Sequence, residues 1–146
     1  MSTDSPAYGV IRDGIALREQ GRAPEAKALL ESLIPEADRS DDPYLQIFLA
    51  HSLADVQETP EAELAWDLRA LALMDSLTDA QAHARGNPGG KNALLPSLHL
   101  NLAVDYRRLG DLPNARHHYA LGEAHLDALA DDAYGDSIRT AYAEGL

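Results

Sequence analysis

The chain contains no cysteine. That excludes a disulfide framework, a thiolate nucleophile and any sulfur-ligated zinc or iron–sulfur centre. Nowhere do about 18 apolar residues run together, so no transmembrane helix is expected. The opening Met1-Ser2-Thr3-Asp4-Ser5-Pro6 has neither the basic flank nor the apolar run of a secretory signal, and the expectation is a soluble, cytoplasmic protein. Positive charge is scarce: 12 Lys and Arg stand against 24 Asp and Glu, a formal charge of -12 over 146 residues. A field of that sign repels phosphate backbones and anionic lipid, so neither nucleic acid nor a membrane is an expected partner. Val, Ile, Thr and Phe are few, whereas Ala and Leu abound and Gly and Pro fall mainly between apolar-periodic stretches. That mixture favours helices, and the length suits one domain, 1–146.

Three punctuation segments align without gaps: Gly21-Arg22-Ala23-Pro24-Glu25-Ala26, Gln57-Glu58-Thr59-Pro60-Glu61-Ala62 and Gly110-Asp111-Leu112-Pro113-Asn114-Ala115. Each fits a helix end, a tight turn and a new helix. Gly takes the left-handed conformation that closes a helix, and Pro fits the first turn of the next, where its missing N–H costs nothing. Gln57 must close its helix without that freedom. Small residues recur on each first helix (Gly14, Ala50, Ala103) and each second helix (Ala26, Ala62, Ala115), where they let antiparallel helices approach while Leu30, Trp66 or Tyr119 fills the space beside them. Helices are expected over about 7–20, 24–38, 43–56, 60–84, 93–109, 112–129 and 132–144. Asp42 and Thr59 read as N-caps, and the Gly-rich segment 85–92 as a loop.

These positions resemble the tetratricopeptide repeat family, whose unit is a helix-turn-helix of about 34 residues. Pro96 to Leu129 matches best, with Leu102-Ala103, Tyr106, Gly110, Ala115 and Tyr119 at the family's spacings; Ala7 to Ser40 and Pro43 to Ser76 are the other two units. Asp13 and Arg69 depart from the pattern, and the usual closing proline is replaced by Asp38, Met74 and Asp127. The 19 residues from Leu77 to Leu95 lengthen the middle unit, as in kinesin-light-chain-like repeats, and through about Ala84 they are expected to prolong the preceding helix. The resemblance implies an all-α right-handed superhelix of three repeats (7–40, 43–76 and 96–129) with a C-terminal capping helix over 132–144.

It also implies a concave groove lined by the first helix of each pair, able to take an extended peptide or a single helix of another protein. The groove positions would include Ile11, Ile15, Tyr44, Ile47, His51, Leu100, Asn101, Val104 and Arg108, beside Tyr8, Arg18, Glu19, Phe48, Asp55 and Arg107. Asn101 is suited to holding a ligand's main chain, since an amide donates and accepts at once. The carboxylate clamp of chaperone-binding members is not matched: its places hold Ile11, Ile15, Phe48, Ser97 and Asn101.

Catalytic and metal signatures are weak. His118 and His125 are seven apart, too far to chelate from one helix, and the six histidines are expected on a solvated face, with no metal or cofactor. Gly90-Lys91 is followed by Asn92 and preceded by no strand, so it is no phosphate loop, and no nucleophile elbow or HExxH pair occurs. Asp55, Glu58, Glu61, Glu63, Asp67 and Asp75, facing only Arg69, read as a solvated acidic face. The expected function is non-enzymatic protein or peptide binding, with self-association through the apolar strip also plausible. Two alternatives stay open: a regulatory sensor of a small molecule or signalling peptide, or an enzyme or accessory subunit using His51, Asp55 and Asn101.

Overall fold

A computed structural model describes residues 5–145; Met1 to Asp4, part of the segment read for a leader, lie outside them. Among the described residues the fold is all-helical, with no strand. The chain, expected from its length to be one domain, divides into two compact units, the first ending at Leu73 and the second starting at Met74.

The first unit comprises α1 (Pro6–Glu19), α2 (Ala23–Glu31), α3 (Ile34–Arg39), α4 (Pro43–Ala54) and α5 (Pro60–Leu73). α1 pairs with α2 and α4 with α5, while α4 also packs on α1, α2 and α3. The turn between α1 and α2 forms as the glycine spacing requires. Gly21 is left-handed at φ 78°, its N–H donates to the Arg18 carbonyl at 2.9 Å and the Arg22 N–H donates to the Leu17 carbonyl at 2.9 Å, which is the Schellman closure. Gln57 ends α4 differently, its side-chain amide donating to the Leu53 carbonyl at 2.9 Å. Asp42 caps α4 by accepting from the Leu45 N–H at 3.2 Å, and Thr59 accepts from the Ala62 N–H at 3.2 Å. Gly14 is where the first pair closes up: a Cβ there would stand 2.8 Å from Leu30 Cδ2. Ile11, Leu30, Leu45 and Leu53 are the large fully buried residues of this core, joined by Ala26.

The second unit comprises α6 (Asp79–Ala84), α7 (Leu95–Arg108), α8 (Leu112–Glu123) and α9 (Ala133–Glu144), with 3-10 turns at Met74–Ser76, Gly90–Leu94 and Leu126–Ala128. α7 pairs with α8, and α9 packs on α7. Gly110, left-handed at φ 82°, closes α7 as Gly21 closes α1. Tyr142 fastens α9 in place: it is buried, and its hydroxyl donates to the Pro96 carbonyl at 2.6 Å. Burial and the nearby Tyr119 and Glu123 push its phenol pKa upward, so the hydroxyl stays a donor.

Three helix boundaries differ from expectation. The stretch 24–38 is two helices, because Pro35 has no N–H to donate back to Glu31 and its ring crowds that carbonyl. The stretch 60–84 also breaks. Thr78 and Gln81 form a reciprocal capping box, the Thr78 N–H donating to the Gln81 side chain at 2.9 Å and the Gln81 N–H to Thr78 Oγ1 at 3.1 Å, which starts α6 afresh instead of prolonging α5. Finally α8 ends at Glu123, where the chain tightens to bonds three residues apart, His125 N–H to Gly122 carbonyl and Ala128 N–H to His125 carbonyl. Part of the 85–92 loop is ordered as a 3-10 turn, its Lys91 N–H donating to the Asp79 carboxylate at 2.9 Å.

Candidate functional site

The helical periods that build each core also decide which expected groove residues can meet a partner. Ile11 is 0 % exposed and Ile47 is 4 % exposed. Ile11 belongs to the first unit's core, and neither side chain offers a docking surface, which corrects the expectation for both. Ile15, Tyr44 and His51 are half-buried in the first unit. Leu100, Asn101 and Val104 are half-buried on α7 of the second unit, and Arg108 is exposed in the last turn of that helix.

In the first unit α1 and α4 carry several half-covered apolar side chains. Tyr8 is buried and donates from its hydroxyl to Asp42 Oδ2 at 2.8 Å, so the residue that caps α4 also fixes the ring. Tyr44 and Phe48, one helical turn apart, pack on that ring with centroids 6.4 and 6.2 Å away. Ile15, Tyr44 and Phe48 lie against the core without being enclosed by it, which leaves apolar and aromatic surface accessible.

Beyond these side chains lies a charged group. His51 Nδ1 is 3.8 Å from Asp67 Oδ1, too long for a hydrogen bond and short enough for an ion pair. Asp67 is 0 % exposed, and neither of its carboxylate oxygens accepts a hydrogen bond from the described residues. Burial opposes the His51 imidazolium, but Asp67 and Asp55 outweigh it, so the His51 pKa is raised; Arg18 acts against them. Burial, with the charge of Asp67 adding to it, raises the Asp55 pKa. This arrangement favours the protonated form of His51.

Asp67 was read from the sequence as part of a solvated acidic face, and its burial overturns that. The signal lay in α5's own period: Asp67 and Ala70 follow helical spacing and both are buried, whereas Ala62, Trp66 and Leu73 are only half-buried. Arg69 does not serve the acidic residues around it but pairs with Asp38, 3.1 Å away on the surface. The histidines of the second unit were likewise expected in solvent, yet His99 is buried and His118 half-buried, with their Nδ1 atoms 3.0 Å apart. His99 comes from α7 and His118 from α8, so no spacing along one helix could have paired them.

No protein-family model, curated protein or solved structure matches the chain. What the fold and site define is a class only: an all-helical protein in which α1 packs on α2, α4 on α5 and α7 on α8. Among the described residues no helix is long and apolar enough to cross a membrane.

Proposed function

We propose that this is a non-enzymatic interaction module of the cytoplasm, whose helix pairs are tetratricopeptide-like repeats and whose first unit takes an extended segment or a helix of another protein along α1 and α4. The observation that carries this reading is the set of half-covered side chains Ile15, Tyr44 and Phe48 beside Arg18, His51 and Asp55. Side chains already held by the core lose little freedom on binding, so the surface they cover contributes at roughly 25 cal/mol per Å2 with a small ordering cost. A register-setting role falls to the polar groups at its end, where the charge of His51 favours an acidic or carbonyl acceptor. On α7, the half-buried Leu100, Asn101 and Val104 with Arg108 form a second surface of the same kind, Asn101 supplying a main-chain contact. Self-association through either surface is the homo-oligomeric form of the same reading.

The test is selection of peptides from a displayed random library against the full chain, followed by affinity measurement with Ile15→Asp and Phe48→Glu. Selected peptides should lose about tenfold or more in affinity to each variant, with the helical circular dichroism retained. A library that yields no binder, or binders indifferent to both variants, overturns the assignment to this surface. Asn101→Ala separates the two surfaces, since it weakens only ligands carried by α7.

A further inference from the structure

The contact between His99 and His118 has a geometry suited to one task. Their Nδ1 atoms are 3.0 Å apart, while the ring centroids are 5.2 Å apart and the planes inclined by 25°. The centroids are farther apart than the nitrogens by about the two nitrogen-to-centroid radii, so the rings meet corner to corner. That is the alignment of an N–H···N hydrogen bond, in which one neutral ring donates and the other accepts. The two lone-pair directions lie along one line and do not converge on a third point, so the pair is built for a proton and not for a shared metal ion. A second Nδ1 proton would set two N–H groups head-on, and the contact cannot accommodate it.

Aromatic rings and groups committed to other partners surround the pair. The Tyr106 ring lies flat on His118, 5.5 Å between centroids and 9° between planes, while His117 meets it edge-on at 5.4 Å. From α9, the Tyr142 hydroxyl is committed to the Pro96 carbonyl, and Arg139 to Asp136 and the carbonyls of Leu129 and Ala130. Tyr119 of α8 donates to the Tyr142 carbonyl. From the 3-10 turn packed on α7, the Lys91 ammonium is bonded to the Leu77 carbonyl. Asp105 is buried on α7, and Arg116 and Glu123 of α8 are exposed.

We propose that His99 and His118 form a one-proton latch across the α7–α8 pair, closed near neutral pH and opened by a second proton in mildly acidic solution. Burial lowers the His99 pKa to about 4, and the charges of His118, His125 and His117 add to the effect; burial and His117 lower that of His118. A folded value below the ordinary 6.5 means that the opened state binds more protons as the pH falls, so acid favours opening and the window runs from 6.5 down to about 4. The latch is independent of what α7 binds.

The decisive experiment uses the full chain labelled with 15N at histidine. Near pH 7.5, long-range spectra should show one ring protonated at Nδ1, the other at Nε2, and a scalar coupling between the two Nδ1 nuclei. Amide exchange in α7 and α8, corrected for its intrinsic pH dependence, should then accelerate about tenfold for each pH unit below 6.5. His118→Asn keeps an amide near the Nδ1 position but cannot take the proton, so it should weaken that acceleration to what the burial of His99 alone supplies, while His117→Asn should change it less. Absence of the coupling with both rings titrating near 6.5, or an acceleration unchanged in His118→Asn, overturns the proposal. The spectra of the wild-type chain decide it even where the variant fails to fold.

Discussion

At the scale of single residues, this protein places polar groups inside rather than leaving them to water. Asp67 is the sharpest case, a carboxylate with no hydrogen-bond donor among the described residues and an imidazole 3.8 Å away. Replacing it by Asn removes the nearest of the charges that hold the His51 proton. In Asp67→Asn the His51 pKa should fall, since burial and Arg18 would then oppose only Asp55; NMR titration of the His51 ring reads the change directly. Tyr142 carries the complementary prediction. Tyr142→Phe removes the tertiary hydrogen bond to the Pro96 carbonyl, a loss of about 0.5–1.5 kcal/mol measurable by denaturant unfolding. Neither partnership could be read from residue type. Asp67 sits within a run of acids and Tyr142 lies 46 residues from its acceptor, so each acquires its role only from the element packed against it.

At the scale of elements, small residues set how closely helices approach, and the two units use them differently. Gly14 meets only the flexible end of Leu30. Gly122 instead faces the Tyr142 hydroxyl and the His99 Cβ, the latter 2.9 Å from a Cβ built at that glycine. Helix propensity alone would make Gly122→Ala stabilising by up to about 1 kcal/mol. Overpacking costs about 1–3 kcal/mol, so the substitution should destabilise the second unit, and a raised unfolding midpoint would contradict this packing. The turn glycines Gly21 and Gly110 and the caps Asp42 and Thr59 were legible in the sequence because each acts within a few residues. The capping box of Thr78 and Gln81 and the break at Pro35 were equally local signals. They are obscured when a constant repeat length is extended through them, as the expected helices over 24–38 and 60–84 did. Thr78→Ala should cost about 1 kcal/mol and appear as faster amide exchange confined to α6.

At the scale of the whole molecule, His51 in the first unit and His99 in the second should make stability depend on pH with opposite signs. The His51 pKa is raised in the folded state, so its contribution is fully present below 6.5 and is lost as the pH climbs through the folded value. The His99 pKa is depressed, so its contribution is present above 6.5 and is lost on the way down to about 4. Trp66, the one tryptophan in the chain, lies against the core of the first unit and reports on that unit. Its fluorescence should therefore give a denaturant midpoint that falls as the pH rises beyond 6.5, the stability lost being no more than about 1.4 kcal/mol for each unit of the His51 shift. In Asp67→Asn the slope should flatten, and an unchanged slope would remove this pair from the account.

Composition and period were enough to establish that the chain is helical, that Gly21 and Gly110 close α1 and α7, and that Gly14 lies where the first pair closes up. These properties depend on neighbours within one or two helical turns, and such neighbours are written side by side. Tertiary packing alone decided that Ile11 and Ile47 belong to the interior, that Asp67 is enclosed beside His51, and that His99 meets His118 across two helices. Burial and proton sharing depend on groups brought together from distant parts of the chain, and the free energy of a charge is set by what surrounds it in space.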